Sequence, residues 1–415
     1  MNQRISGEFL TLPKYSIIIP TRNGSKYITD VINSVLLQDF DDYELLVSDN
    51  FSSDQTASIL SKIDDPNVKT MKPPKPLSMT AHYEWCLSKA SGNWITIIGD
   101  DDGVMLDFFE EAEFLTNKYK ETDVEAIYCR RGYFFWPGCN GKYADNCVNV
   151  IGRRKQILYK KPKKMLFQGL ANRRGYSDFP QIYTNGIIKK ELISRIIRKS
   201  KGVFFNELNP DVYSGVVVSL EAKNVVFSYH PIFWTGTSPK SIGFAAANMQ
   251  RLKGQLNSQK NEDPLDFFKD SEQDNISVSE KVGLELWKKS RSSPIYLFSA
   301  FDKSPYSKDI SNLKLKLYLA VSLLSARPLN SDAFIKSRDN IFLNEGINWP
   351  IKVIAKFLLI YQSSLKYKDL AIKLIILYVN QNLRSKCLIS KNSQIYHSIN
   401  VCNDFLNDQG NKKSD

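Results

Sequence analysis

The sequence predicts an α/β protein in which an open, mostly parallel sheet flanked by helices is followed by a helical C-terminal region. Three observations carry this. From Tyr15 to about Tyr128, short β-branched runs alternate with amphipathic stretches of helical period, the rhythm of βαβ units. Three adjacent aspartates, Asp100, Asp101 and Asp102, follow the apolar run WITII, so an acidic cluster closes a buried strand. Beyond about Ala246 the pattern becomes helical and is broken by polar segments such as NSQKNEDP.

The first strand, Tyr15 to Ile19 (YSIII), is expected to be buried and to end at Pro20. Ile28, Val31, Ile32, Val35 and Leu36 recur at helical spacing, which lays one apolar stripe against the sheet. Tyr43 to Ser48 is the second strand, and it runs into the polar turn DNFSSD, where Ser53 or Asp54 can cap a helix through Leu60. Val68 to Met71 is a third short strand. After the proline-rich KPPKP, Thr80 to Ala90 reads as a helix stopped by Gly92, and Trp94 to Ile98 as a fourth strand ending on GDDDG. The carboxyl end of a strand in an open α/β sheet is where such folds bind ligands.

Further strands are expected between Val124 and Val150, with YFFWPGCNGKY as a hairpin or aromatic flap, and RRKQILYKKPKK as a basic exposed loop or helix start. A strand at Gln181 to Ile188, a helix from Lys190, the loop FFNELNPD, a helix from Asp211 to Lys223 and a strand from Val225 to Tyr229 complete a first unit, residues 1–245. Residues 246–415 form the helical unit, with Leu313 to Ala326, Trp349 to Gln362 and Tyr367 to Leu383 as apolar-faced, Lys-rich helices and NDQGNKKSD as a frayed tail.

Composition bounds the partners. A chain of 415 residues has room for a sizeable core and two domains. Lys and Arg number 56 against 44 Asp and Glu, a formal charge of +12 that suits nucleic acid, an anionic membrane surface or a phosphorylated substrate. The cysteines, Cys86, Cys129, Cys139, Cys147, Cys387 and Cys402, form no CxxC pair and no zinc spacing, so they read as reduced thiols in a cytoplasmic protein. The first residues lack the pattern of a signal peptide, and no apolar run approaches the ~18 residues of a membrane span.

Like charges as close as three consecutive aspartates repel and raise one another's pKa, so something positive is expected among them. A divalent cation with oxygen ligands, Mn²⁺ or Mg²⁺, is the natural candidate; the alternative is a solvated turn in which one Asp caps the next helix. Two more strand ends point to the same crevice: Pro20, Thr21, Arg22, Asn23 and Gly24 after the first strand, and Asp49 after the second. An acidic residue at such an end can accept hydrogen bonds from a base or a ribose. TRNGSKY lacks the glycine motif of a dehydrogenase.

YSIIIPTRNGSKYITDVINSVLLQDFDDYELLVSDNFSSDQT, followed by ASGNWITIIGDDDG, resembles the nucleotide-binding half of inverting family 2 glycosyltransferases with the GT-A fold, a Rossmann-like mixed sheet flanked by helices. The resemblance covers about the first quarter of the chain. It implies that Thr21 lies beside the base and that Asp49 accepts a hydrogen bond from uracil or its equivalent. In the family's Asp-X-Asp-Asp pattern Gly99 stands at the first Asp, which leaves Asp100 close to the ribose and Asp101 as the main metal ligand, with Asp102 beside it. The implied reaction moves a sugar from a nucleoside-diphosphate sugar, UDP-linked, to a saccharide or lipid-linked acceptor in surface-polysaccharide assembly. The metal stabilises the diphosphate leaving group while a carboxylate takes the acceptor's proton.

Asp211 in FNELNPDVYSG is the candidate base and Glu207 the runner-up; the alternative for Asp211 is to cap the helix beginning at Val212. The segment YHPIFWTGTSPKSIGFAA resembles the end of the catalytic domain in some bacterial members, where Lys240 with Ser238 and Ser241 would close over the diphosphate; ordinary surface-loop chemistry is the alternative. His82 and His230 read as structural. Trp85, Phe134, Phe135 and Trp136 suit stacking on a sugar or, alternatively, core packing. The helices from Trp349 to Leu383 would touch a membrane surface on the inner face of a bacterial cell membrane, or pack on the catalytic unit with a solvated Lys face.

Two competing functions are testable. Sugar-nucleotide nucleotidyl transfer requires a glycine-rich basic loop after strand one, which TRNGSKY does not supply. A non-catalytic basic binding protein would use the positive charge, but the basic residues are dispersed, no nucleic-acid motif is present and the acidic crevice repels phosphate without a metal.

Overall fold

Ile17, Ile18 and Ile19 are wholly buried because neither face of their strand meets water. They lie in β1 (Tyr15–Thr21) of a computed structural model that describes residues 12–137, 147–150, 157–239, 241, 274–284, 286–287, 293–326, 331–361 and 387–389. β1 pairs in parallel with β2 (Tyr43–Asp49) on one side and β4 (Trp94–Ile97) on the other, and β3 (Val68–Met71) lies outside β2. Alternate residues feed two apolar layers: Ile18, Leu46 and Ile97 join one, while Ile17, Ile19 and Val47 join the other. Period-two alternation with both faces buried gives the continuous apolar runs seen in the sequence.

The second layer is closed by α1 (Ile28–Leu36), through Val31 and Val35, and by α4 (Phe108–Lys118), through Phe108 and Ala112. α3 (Met79–Leu87) closes part of the first through Tyr83 and Cys86. Pro20 does not end β1, which continues to Thr21. Its missing N–H costs nothing because β4 pairs with β1 only as far as Ile18, so the proline ring faces an open edge. At α2 (Thr56–Leu60) the cap position is Gln55, while Asp54 Oδ1, one residue earlier, accepts the Thr56 N–H at 3.0 Å.

Beyond β4 the sheet turns mixed. β9 (Gly186–Lys189) is antiparallel to β4 and to β6 (Val124–Phe135), and β10 (Asn224–Thr237) runs parallel to β6. β5 (Gly103–Val104) and β8 (Ile157–Lys160) pair antiparallel with β10, and β7 (Cys147–Val150) joins β6 to β11 (Cys387–Ile389). The fold class therefore agrees with the expectation, with three differences. β10 extends well past Tyr229, because the register shift between Ser228 and Phe233 lifts Pro231 out of the ladder. RRKQILYKKPKK is partly strand, since residues 157–160 find partners in Val225–Ser228. β9 starts only at Gly186, because residues 181–185 fold on themselves, with Gln181 N–H donating to Asn185 Oδ1 at 2.9 Å.

α5 (Pro162–Leu170), α6 (Lys190–Lys199) and α7 (Pro210–Glu221) cover the first layer. α8 (Ser293–Lys303) belongs there too: Leu297, Ala300 and Phe301 share one apolar cluster with Ile18, Leu166 and Val216. Burying a ring such as Phe301 contributes roughly 2–3 kcal/mol. A third cluster joins Leu208, Trp287 and Phe298 with α9 (Asn312–Ser325), α10 (Ser331–Asn344) and α11 (349–361). The expected boundary near residue 246, Lys240 and the expected helix from Tyr367 to Leu383 lie outside the described residues. α5 begins at Pro162, where RRKQILYKKPKK offered a helix start, whereas α4, α8 and α10 have no counterpart among the elements predicted from sequence.

Candidate functional site

The ends of β1, β2 and β4 meet. Thr21 and Asp49 are register partners on adjacent strands, and Thr21 Oγ1 donates to Asp100 Oδ2 at 2.5 Å, which joins the first strand end to the acidic loop. Gly24 allows this approach: a Cβ there would stand 2.4 Å from Thr21 Oγ1 and 2.5 Å from Asp100 Oδ2. Asn23, in the left-handed region at φ 61°, stitches the loop after β1 to the loop after β2, its N–H donating to Ser52 Oγ at 2.8 Å and its Oδ1 accepting from Ser53 N–H at 2.8 Å. Asp49 is buried, and its Oδ1 accepts the Ser52 N–H at 3.0 Å. Burial works against the Asp54 carboxylate, but hydrogen bonds from Thr56 and Ser25 outweigh it and hold Asp54 down at about 2.

The resulting cleft is lined by Pro20, Thr21, Arg22, Asn50, Leu77, Met79, His82, Tyr83, Gly99, Asp100, Asp101 and Tyr183. It thus gathers Pro20, Thr21, Arg22, Asp100 and Asp101 of the sequence-predicted set; Asp49, at the end of β2, and Asn23 are not among its lining residues. Asn50, Tyr83 and Tyr183 are additions that sequence reasoning missed. Asn50 follows Asp49 directly, a position that marks it in hindsight, whereas Tyr183, in the segment before β9, is brought in from distant sequence by an isolated bridge to Ile97 of β4.

The three aspartates are not equivalent. Asp102 is 1% exposed, and its carboxylate is fully engaged: Oδ2 accepts from Gly99 N–H and Thr184 Oγ1, both at 2.8 Å, and Oδ1 from Gly236 N–H at 2.8 Å. Thr184 holds φ 52°, a costly conformation for a β-branched residue, and one that delivers its hydroxyl to Asp102. Asp102, expected as a metal ligand, therefore has its oxygens occupied by protein donors. Asp101 is half-buried at the cleft, and its backbone is fixed: Trp136 Nε1 donates to its carbonyl at 2.8 Å, and a Cβ on Gly236 would fall 1.4 Å from that oxygen. Burial first, then the charges of Asp102 and Asp100, push the Asp101 carboxyl well above the usual carboxylate range. A divalent cation at Asp101 would relieve that repulsion.

Asp211 does not cap α7. The cap position is Asn209 and Pro210 takes the first helical position, which leaves Asp211 in the first turn, where a carboxylate favours the helix dipole. Its carboxyl is raised by burial and lowered by Arg131, and its charge reaches Tyr83 in the cleft. Glu207 is wholly buried, with Oε2 accepting the Asn209 N–H at 2.6 Å and Oε1 accepting the Ser299 hydroxyl of α8 at 3.0 Å; burial pushes it up to about 8. It braces the loop before α7 against the C-terminal helices. Ser238 is buried and hydrogen-bonds the Asp101 side chain, so this part of the expected phosphate loop does reach the acidic site.

His82 hydrogen-bonds Ser48 Oγ at 2.7 Å, and burial, aided by the charge of Arg22, pushes it down to about 4, so the ring is neutral at pH 7. His230 Nε2 lies 2.6 Å from Asp107 Oδ2, and with Glu111 these three place one ligand atom each within 4.8 Å of one another. Phe134, Phe135 and Trp136 are buried, and Trp136 packs on Tyr27 with ring centroids 4.6 Å apart, so they are covering and anchoring groups. The buried thiols of Cys86 and Cys129 are free, and burial pushes both up to about 12.

Comparison with known proteins adds the following. Residues 16–196 match the family model described as Glycosyl transferase family 2. The chain is 34% identical over 97 residues to the GalNAc(5)-diNAcBac-PP-undecaprenol beta-1,3-glucosyltransferase of Campylobacter jejuni, a stretch covering 23% of this chain and 31% of that protein. Over 162 residues it is 32% identical to the poly(ribitol-phosphate) beta-N-acetylglucosaminyltransferase TarS of Staphylococcus aureus, covering 35% of this chain and 26% of that protein. The chain thus spans about a third or less of the length of these two relatives. Among solved structures, Staphylococcus aureus TarS in complex with UDP-GlcNAc is similar with a TM-score of 0.43 at 15% identity, over 76% of this chain and 82% of that chain.

Proposed function

From the match of residues 16–196 to glycosyl transferase family 2, we propose that the chain transfers a sugar from a UDP-linked donor to a saccharide or lipid-linked acceptor in polysaccharide biosynthesis. The observation that carries the reading is the convergence of three strand ends, with Thr21 hydrogen-bonded to Asp100 and in register with Asp49. Thr21 and Asp49 bind the base, Asp100 faces the ribose, and Arg22 supplies positive charge at the mouth. Mn²⁺ or Mg²⁺ held by Asp101 would neutralise charge on the departing diphosphate. Asp102 leaves the ligand set and becomes the brace that aims Asp101.

Asp211 is the base. Its partial burial raises its affinity for a proton, which suits a group that must accept one from the acceptor hydroxyl as that oxygen attacks the anomeric carbon. Glu207 is unsuited, since both of its oxygens are taken by Asn209 and Ser299. Neutral His82 leaves the cleft wall free of a second charge that would compete for the diphosphate.

The decisive experiment is Mn²⁺-dependent hydrolysis of, or transfer from, a UDP-sugar by wild type and Asp101→Ala. We expect the variant to lose turnover with its circular dichroism and melting unchanged; undiminished turnover would remove Asp101 from the metal site. A membrane seat belongs to the same reading. Among the described residues no helix is long and apolar enough to cross a bilayer. α11 exposes Trp349, Phe357 and Ile360 beside Lys352 and Lys356 and carries no acidic residue, which supports a peripheral position on the inner face of a bacterial cell membrane. Co-sedimentation with phosphatidylglycerol but not phosphatidylcholine vesicles is expected, and equal recovery with both would refute the charge-based seat.

A further inference from the structure

One wall of the cleft is not built by the sheet. It consists of the segment after β3 and the first turn of α3, which contribute Leu77 and Met79 to the lining. Residues 72–78 read KPPKPLS and carry no regular ladder, so their placement depends on what grips them. Asn50 grips Leu77, its Oδ1 accepting the Leu77 N–H at 3.0 Å and its Nδ2 donating to the Leu77 carbonyl at 2.8 Å. Thr80 Oγ1 donates to the Glu207 carbonyl at 3.3 Å. The third grip comes from the far part of the chain: Ser78 N–H donates to Asp274 Oδ2 at 2.8 Å.

The chemistry of this third bond is informative. Ser78 is the N-cap of α3, and its Oγ accepts the Ala81 N–H at 3.3 Å. A capping box needs a second, reciprocal bond, in which a Glu or Gln three residues on takes the N–H of the cap residue. That position is Ala81, which has nothing to offer. Asp274 supplies the missing carboxylate from 196 residues away and also places negative charge at the positive end of the helix. The Asp274 side chain is 12% exposed, and Lys75 Nζ lies 3.9 Å from its other oxygen.

We infer that Asp274 is a positioning residue of the donor cleft: the C-terminal region completes the cap of α3 and so fixes the Leu77–Met79 wall against which a nucleotide is held. The inference rests on the nucleotide-sugar reading of the cleft. It implies that the helical part of the chain sets donor affinity without touching the donor.

The test uses full-length protein and UDP with Mn²⁺ as the probe, read by calorimetry, together with hydrogen exchange of the peptide covering residues 72–80. In Asp274→Ala we expect about tenfold weaker UDP binding and faster exchange in that peptide, with exchange in β1 and β4 unchanged. Adding Ala81→Glu restores the capping partner from within the helix, and we expect it to bring both readouts back to within about threefold of wild type. Wild-type binding that Asp274→Ala leaves intact overturns the inference while sparing the cleft reading. Faster exchange throughout the sheet, unrelieved by Ala81→Glu, also overturns it, because Asp274 then merely supports the fold. Failure of wild type to bind UDP overturns the cleft reading itself.

Discussion

Replacing Glu207 by glutamine should make the protein less sensitive to alkaline pH, and the size of the effect follows from burial. The carboxyl is wholly enclosed, and its pKa rises from 4.5 to about 8 on folding. The folded chain therefore holds a proton that the unfolded chain has already released between these two values. Stability contributed by the protonated group is complete below pH 4.5 and is lost as pH climbs through 8. At about 1.4 kcal/mol per pH unit for one proton, the loss over the whole window is at most about 4–5 kcal/mol. A glutamine escapes this, since its oxygen can accept from Asn209 and its NH₂ can donate to the Ser299 hydroxyl. Urea denaturation at pH 5, 6, 7 and 8 should show Glu207→Gln within about 1 kcal/mol of wild type at the acid end and clearly more stable at pH 8. All other titrating groups are common to the two proteins and cancel in the difference. Parallel stability curves across this range would refute the assignment of a buried, proton-holding Glu207.

Other perturbations probe the site. Asp211→Asn keeps the shape but cannot take a proton, so we expect UDP binding to survive while transfer falls by about 10²- to 10⁴-fold; lost UDP binding would mark Asp211 as structural. Gly24→Ala drives a methyl into Thr21 Oγ1 and Asp100 Oδ2, 2.4 and 2.5 Å from the new Cβ, and should weaken UDP binding more than it lowers the melting temperature. Asp102→Asn turns one acceptor into a donor facing Gly99, Thr184 or Gly236. Leaving a buried N–H without an acceptor costs roughly 1–3 kcal/mol, so a lower urea midpoint is expected together with reduced turnover.

The parts of the site that the sequence discloses are those whose cause is local. Thr21, Asp49 and Asp100 stand at the ends of strands whose apolar runs are self-evident, and the order of the strands follows from short crossovers. α4 was equally open to reading, because Phe108, Ala112 and Leu115 fall at helical spacing. The role of Asp102 was hidden for a different reason. Two of its donors, Thr184 and Gly236, lie 82 and 134 residues further on, so no window of sequence shows that its oxygens are spoken for. Trp136 and Ser238 reach the loop by the same long route. The length of β10 depends on β6, a strand some 100 residues earlier, and the shift that accommodates Pro231 appears only once they are paired. For Asp211 the deciding clue was present: a proline at position 210 favours the first helical turn, which puts the cap one residue before it.

The parallel pair β6–β10 also bears on the order in which the protein becomes competent. Gly236 supplies both a donor to Asp102 and the close backbone contact over Asp101, yet it is synthesised long after the strands that carry Thr21 and Asp49. A nascent chain that has folded its first hundred or so residues would present Thr21 and Asp49 beside an acidic loop that still lacks its clamps from Trp136, Thr184 and Gly236. Such long-range parallel pairing forms late and slowly. Competence for cation binding at this loop should therefore mature only when the second half of the chain has emerged, which makes β10 a timer for the first strands' chemistry.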